Sequence, residues 1–168
     1  MPDSNLSTTL NEFEQRIDQL LTELSSYSIN SASDYSVIGI SRLVEAMARA
    51  RAIAERSSSI LSELYTSLSE IRRLHRDAQR IYQERYDESV SKIAPGKSHL
   101  SWEERASLYR LENIDDAFTV RDFEDVIMST ELKIKGAESI SRILVQGRND
   151  LYNLAQVLKM SQQLGELE

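Results

Sequence analysis

The sequence contains no cysteine, two prolines and five glycines among its 168 residues. Without cysteine the chain has no disulfide and no thiol chemistry, which is typical of a reducing compartment. So few prolines and glycines leave few places to turn, and this predicts long helices. Apolar runs are only two to four residues long, and the first ten residues lack the basic and apolar regions of a signal peptide. We therefore expect a cytoplasmic protein with no membrane segment.

Charge is unevenly distributed along an otherwise ordinary composition. Hydrophobic residues make up 40% of the chain and charged residues 28%, which permits a packed apolar core. The net charge is −7, made up of −5 over residues 1–37, +3 over residues 38–97 and −5 over residues 98–168. The acidic total disfavours indiscriminate nucleic-acid binding, whereas the basic middle leaves binding possible.

The first predicted helix spans Asn5 to Tyr27. Its apolar residues alternate by three and four, at Leu6, Leu10, Phe13, Ile17, Leu20, Leu24 and Tyr27. Such a narrow seam either packs on another helix of the same chain or serves as an oligomerisation arm. Residues 25–35 are rich in Ser and Asn, which predicts a linker. Residues 1–33 are thus predicted as an N-terminal amphipathic helix with a Ser-rich linker.

Residues 34–168 are predicted to form a long antiparallel helical hairpin with its turn at 94–101. The first arm runs from Asp34 to Ile93, and its seam comprises Ala54, Leu61, Leu64, Leu68, Ile71, Ala78 and Tyr82. Ala94-Pro95-Gly96 ends this arm, and Ser101 with Glu104 forms a capping box that begins a short helix. After a predicted break at 113–116 and a cap at Thr119, the second arm continues to about Gln163.

The fold class expected from these patterns is all-α: an elongated, coiled-coil-like antiparallel hairpin with an N-terminal helix, in an oligomer. Two helices do not fully cover each other's seams, so we expect self-association. The predicted oligomer or partner interface consists of Leu10, Phe13, Ile17, Leu20, Leu24, Leu61, Leu64, Leu68 and Ile71.

No motif in the sequence indicates catalysis. Ala94-Pro95-Gly96-Lys97-Ser98 has Ser91 where a Walker A loop needs its first Gly, and no strand precedes it. His75 and His99 lack partners at metal-ligand spacing, and His75 falls on the seam, where it can make a buried or interhelical polar contact. We predict no enzyme activity, no catalytic residue, no metal, no cofactor and no small-molecule substrate.

A stripe of arginines lies in the second half of the long predicted helix. Arg72, Arg76 and Arg80 repeat every four residues, Arg73 lies beside them, and Arg85, Tyr82 and Tyr86 follow. Arginine with aromatic residues is what single-stranded nucleic acid requires, charge for the phosphates and ring faces for the bases. The alternative is a solvated face on which the arginines pair with the acidic residues interleaved among them, Glu70, Asp77 and Glu84.

The run from Arg76 to Tyr86, RDAQRIYQERY, resembles a segment of the UvsY-type recombination mediators of T4-like bacteriophages. In that family a Gln-Arg and a Tyr-x-Glu-Arg-Tyr pattern ends a helix before a Gly-containing turn. Residues 130–160 are similar in layout, with Arg148 followed by Tyr152 and a Leu- and Val-rich end. The resemblance covers about residues 60–95 and 119–160. The acidic region 1–58 has no counterpart in the pattern, and the net charge of −7 is unusual for a DNA-binding protein.

This resemblance implies a small homo-oligomeric helical protein that binds single-stranded DNA. Such mediators help to load a RecA-like recombinase onto strands covered by a single-strand-binding protein, without chemistry of their own, in the host cytoplasm if the chain is phage-encoded. The implied DNA contacts are Arg72, Arg73, Arg76, Arg80, Tyr82, Arg85 and Tyr86. The competing interpretation is a structural or assembly protein, such as a virion component or a coiled-coil adaptor, that binds other proteins through its apolar seams.

Overall fold

In the computed structural model, residues 3–31, 40–93, 101, 103–104, 107–109 and 114–165 are described. Three long helices account for nearly all of them: α1 (Asp3–Ser26), α2 (Ile40–Ile93) and α3 (Ile114–Gly165). Residues 103–104 and 107–109 are helical as well, and no strand occurs among the described residues. The all-α prediction is therefore confirmed. The coiled-coil and oligomeric parts of that prediction stay predictions.

The chain divides into two compact units. The first consists of Met1–Arg16 and Thr66–Glu131, and the second of Ile17–Tyr65 and Leu132–Glu168. Each unit therefore takes one part of α1, one part of α2 and one part of α3.

In the second unit, α2 and α3 pack antiparallel around small side chains. Ser57 is fully buried on α2, and its Oγ lies 3.1 Å from the Oγ of Ser141 on α3. At one end of this unit, a buried cluster is formed by Leu43, Ala50 and Leu151. The hydroxyl of Tyr65 donates a hydrogen bond to Glu138 at the other end. Residues further along α2 contact residues earlier in α3, so the two helices run antiparallel here, which is compatible with the predicted hairpin.

In the same unit, a cluster of charged side chains joins the C-terminal half of α1 to α2. Arg56 donates from Nε and Nη2 to the two carboxylate oxygens of Glu23, each at 2.7 Å, and from Nη1 to Glu63 at 2.9 Å. The Tyr27 hydroxyl donates to Glu23 at 2.6 Å. The hydrogen bonds from Arg56 and Tyr27 lower the pKa of Glu23 from 4.5 to about 2. The apolar seam of α1 and this bidentate contact together position the helix.

The chain just after α1 also packs on the second unit. Ile29 contacts the cluster of Leu43, Ala50 and Leu151. A Cβ at Gly147 of α3 would lie 3.3 Å from both Cβ and Cγ2 of Ile29. Gly147, which interrupts the apolar pattern of α3, thus makes room for Ile29.

In the first unit, α2 and α3 are again antiparallel. Arg72 of α2 donates to Glu131 of α3 at 2.6 Å, and His75 Nε2 lies 3.6 Å from Oε1 of Glu124. The His75 side chain is 16% exposed and its ring centroid lies 6.3 Å from that of the fully buried Phe123. His75 thus lies between α2 and α3, but its Nε2 makes no hydrogen bond to a described residue, and the prediction of a polar contact there stays a prediction.

The predicted seam residues face the interior of the chain. Of the nine assigned to an oligomer or partner interface, Phe13 and Leu61 are half-buried, and the remaining seven are buried: Leu10, Ile17, Leu20, Leu24, Leu64, Leu68 and Ile71. Their burial fits the first alternative, in which α1 packs on helices of its own chain. These side chains do not form an exposed apolar surface.

Two predicted boundaries differ from the structure. The predicted break at 113–116 is wrong from Ile114 onward, because α3 begins there and Thr119 lies inside the helix rather than at its cap. The predicted turn residues 94–100 and the predicted start of the first arm at Asp34 lie outside the described residues.

The capping box at Ser101 is confirmed. The Ser101 backbone N–H donates to Glu104 Oε2 at 2.7 Å, and the Glu104 N–H donates to Ser101 Oγ at 3.3 Å. The hydrogen bond from the Ser101 backbone also lowers the pKa of Glu104.

Candidate nucleic-acid interface

Three arginines form an exposed face on α2, which we call the arginine face: Arg73, Arg76 and Arg80. At 3.6 residues per turn they lie within an arc of about 60° and span about 10 Å along the helix axis. None of them forms an ion pair with any residue that the structure describes, although Asp77 and Glu84 are exposed nearby on the same helix. The interpretation of a fully salt-bridged stripe therefore does not fit these three side chains.

Arg72 differs from its neighbours because it is held by α3. Its Nη2 lies 2.6 Å from Glu131 Oε1, and its side chain is half exposed. Glu131 is 59 residues away in sequence, so no local spacing could have indicated this pair. Arg72 flanks the arginine face and helps to fasten α2 to α3 in the first unit.

Arg85 lies on another side of α2. It follows Arg80 by five residues, which places it about 140° further around the helix. Arg85 is exposed but makes interactions of its own. The structure therefore does not bring it together with the other predicted arginines.

The two predicted tyrosines face inward. Tyr86 is only 8% exposed, and its ring packs edge-on against that of the fully buried Tyr109, with centroids 5.0 Å apart. Tyr82 is half-buried, with its ring centroid 5.5 Å from that of Tyr109. The Tyr109 hydroxyl donates to the backbone oxygen of Tyr82 at 3.3 Å. These tyrosines dock residues 107–109 onto α2 rather than forming a stacking surface beside the arginines.

Tyr109 and Glu131 are the residues near this site that sequence reasoning missed. Tyr109 belongs to the short helix after the capping box. Its spacing from Trp102 and Ala106, seven and three residues, is an apolar helical period that could have marked it as buried. Its burial depends on the return of the chain to the end of α2, which no local pattern encodes.

Two further properties of the described residues concern metal binding and membrane insertion. They contain no group of three or more His, Asp or Glu side chains arranged to hold a metal ion. None of the helices in the described part of the chain has an apolar stretch long enough to cross a bilayer. The predicted absence of catalytic, metal and cofactor sites stays a prediction.

Comparison with protein-family models, with curated proteins and with solved structures finds no match to this chain. The resemblance to UvsY-type mediators therefore rests on the residues quoted for it and stays a prediction.

Proposed function

We propose that the protein is a non-enzymatic, helical single-stranded DNA-binding protein that acts in the manner of a recombination mediator. The observation that carries the proposal is the arginine face, on which Arg73, Arg76 and Arg80 are exposed together without ion-pair partners in the described part of the chain. Guanidinium groups bind phosphate oxygens through charge-assisted hydrogen bonds, and each neutralised phosphate releases counterions. The resemblance to UvsY-type mediators supplies the recombinase as the further partner.

Acidic residues around the arginine face lower its affinity for single-stranded DNA. Glu70, Asp77 and Glu84 are exposed on α2 within one turn of the arginines, and the chain as a whole is acidic. These carboxylates repel phosphates and lower the affinity, most strongly at low salt, whereas the arginine–phosphate contacts make binding weaken as salt rises. Tight binding at physiological salt would then require several copies of the face on one strand, which agrees with the predicted homo-oligomer.

The test is fluorescence anisotropy of labelled oligo(dT) with the wild-type protein and with the triple variant R73Q/R76Q/R80Q. Glutamine keeps nearly the same helix propensity as arginine and removes the charge. Arg72 is left intact because its change would also remove the contact with Glu131. We expect wild-type binding at about 50 mM salt and loss of most of it in the variant.

A matched control comes from the second unit. Arg42, Arg49 and Arg142 are likewise exposed and make no ion pair with a described residue. The variant R42Q/R49Q/R142Q changes the net charge by the same amount and should bind like the wild type. Equal losses in both triple variants would mean that only the total charge matters, and the proposal of a specific face would fail.

A second candidate function, assembly with another protein or with further copies of the chain, is favoured by exposed apolar residues on α3. Leu132, Ile143 and Val157 are 64%, 70% and 62% exposed. They lie within about 40° of one another around the helix. They can contact a partner as three separate points, because Ser139, Gln146 and Asp150 lie between them on the same side of the helix.

The association test compares the wild type with I143K in the mass measured by light scattering over a range of concentrations. If this stripe mediates self-association, the lysine should lower the measured mass toward that of one chain. The matched change N149K, at an exposed polar position of the same helix, should leave the mass unchanged. An unchanged mass in I143K would exclude the stripe as the self-association surface.

A further inference from the structure

We propose, on the basis of the proposed function, that the arginine face holds a single strand by its phosphodiester backbone alone and leaves the bases unstacked and exposed. Proteins that bind single strands usually combine a basic groove, which holds the backbone, with aromatic rings on which the bases stack. In this protein the two parts of that combination lie on different sides of α2.

The first observation is the position of the aromatic side chains in the first unit. Phe13 and Tyr82 are half-buried, and Tyr86, Tyr109 and Phe123 are buried. Among the side chains of this unit that the structure describes, no Phe or Tyr is exposed. No exposed ring of this unit, among the described residues, is therefore available to a base at the arginine face. Tyr65, eight residues before Arg73 on α2, is 48% exposed, but it belongs to the second unit, where its hydroxyl bonds Glu138.

The second observation is the direction in which the tyrosines leave the helix. Tyr82 follows Arg80 by two residues, about 200° further around α2, so the two side chains lie on nearly opposite sides. The ring of Tyr82 is engaged by Tyr109, and the hydroxyl of Tyr109 is bonded to the Tyr82 backbone. Turning this ring outward would break its edge contact with the ring of Tyr109.

Phosphate contacts fix a strand without reading its bases. A strand held in this way has little base preference, and its bases stay accessible to a second molecule that pairs with them or binds them. This gives the mediator-like activity a structural basis: the protein holds the strand from its backbone side while the base side remains open.

The test is a competition experiment at about 50 mM salt, in which unlabelled strands displace labelled oligo(dT) from the wild-type protein. The competitors have equal length: oligo(dT), an abasic phosphodiester oligomer with the same number of phosphates, and oligo(U). We expect all three to compete with midpoints within about threefold of one another, because each carries the same backbone charge. Oligo(U) tests whether the face accepts a ribose backbone as readily as a deoxyribose one.

Base stacking predicts a different result. Loss of even one stacked base weakens binding about fivefold to 150-fold. An abasic oligomer that competes more than about fivefold less well than oligo(dT) would overturn the inference while leaving single-strand binding intact. Failure of labelled oligo(dT) itself to bind would instead refute the proposed function, so the two failures are distinguishable.

Discussion

Salt dependence gives a quantitative prediction for the arginine face. The logarithm of a protein's apparent affinity for single strands falls linearly with the logarithm of the salt concentration. The slope is about −0.7 for each phosphate that the protein neutralises. Arg73, Arg76 and Arg80 can neutralise three phosphates, which gives a slope of about −2 for one copy of the face. If Arg72 exchanges Glu131 for a fourth phosphate, the slope becomes about −3.

These slopes correspond to a measurable loss of affinity. Raising the salt from about 50 to 200 mM should weaken binding of one face by about 20-fold with three contacts and by about 50-fold with four. Oligo(dT) anisotropy titrations at four or five salt concentrations give the slope directly. The variant R73Q/R76Q/R80Q should reduce its magnitude by about 2, whereas R42Q/R49Q/R142Q should leave it unchanged. A wild-type slope near zero, or the same slope in both variants, would refute the assignment of these arginines as phosphate contacts.

Two further predictions concern the stability of the second unit. The Glu23 pKa is lowered to about 2 in the folded chain, so its contribution to stability is complete above about pH 4.5 and is lost as the pH falls toward 2. Thermal melts followed by circular dichroism should therefore show E23Q melting below the wild type at neutral pH, with a difference that shrinks in acid. E55Q, at an exposed pair within α2, should change the melting temperature little at any pH. Gly136 has open space where the methyl group of an alanine would lie, so G136A should raise the unfolding free energy by about 0.5–1 kcal/mol. G147A should gain less or lose stability, because the new methyl would press on Ile29 at 3.3 Å; equal gains in the two variants would contradict the close packing.

The sequence was sufficient to predict the helices and their inward faces. Ile17, Leu64 and Ile71 all belong to predicted seams and are buried, because an apolar residue at every third or fourth position makes one side of a helix apolar, and that side packs away from water. The same period could not distinguish packing within one chain from packing between chains. An amphipathic α1 satisfies both, and only the three-dimensional contacts of Glu23 with Arg56 show which helix α1 covers.

The sequence predicted which charged residues belong to the candidate site but not how they are arranged in space. Positions along α2 already place Tyr82 about 200° from Arg80, which argues against a joint stacking surface. Sequence alone could not show that Tyr86 is buried, since its partner Tyr109 is 23 residues further along the chain. Nor could it show which arginines carry ion pairs, because Arg72 finds its carboxylate on α3.

The most direct test of the central claim is chemical footprinting of the arginines. The protein is treated with an arginine-specific dicarbonyl reagent with and without saturating oligo(dT) at low salt, and modification at each arginine is read by mass spectrometry. We predict that bound DNA protects Arg73, Arg76 and Arg80 and leaves Arg42 and Arg142 as reactive as in the unbound protein. Protection of Arg42 and Arg142, or of none of the three arginines of the face while DNA is bound, would contradict the account.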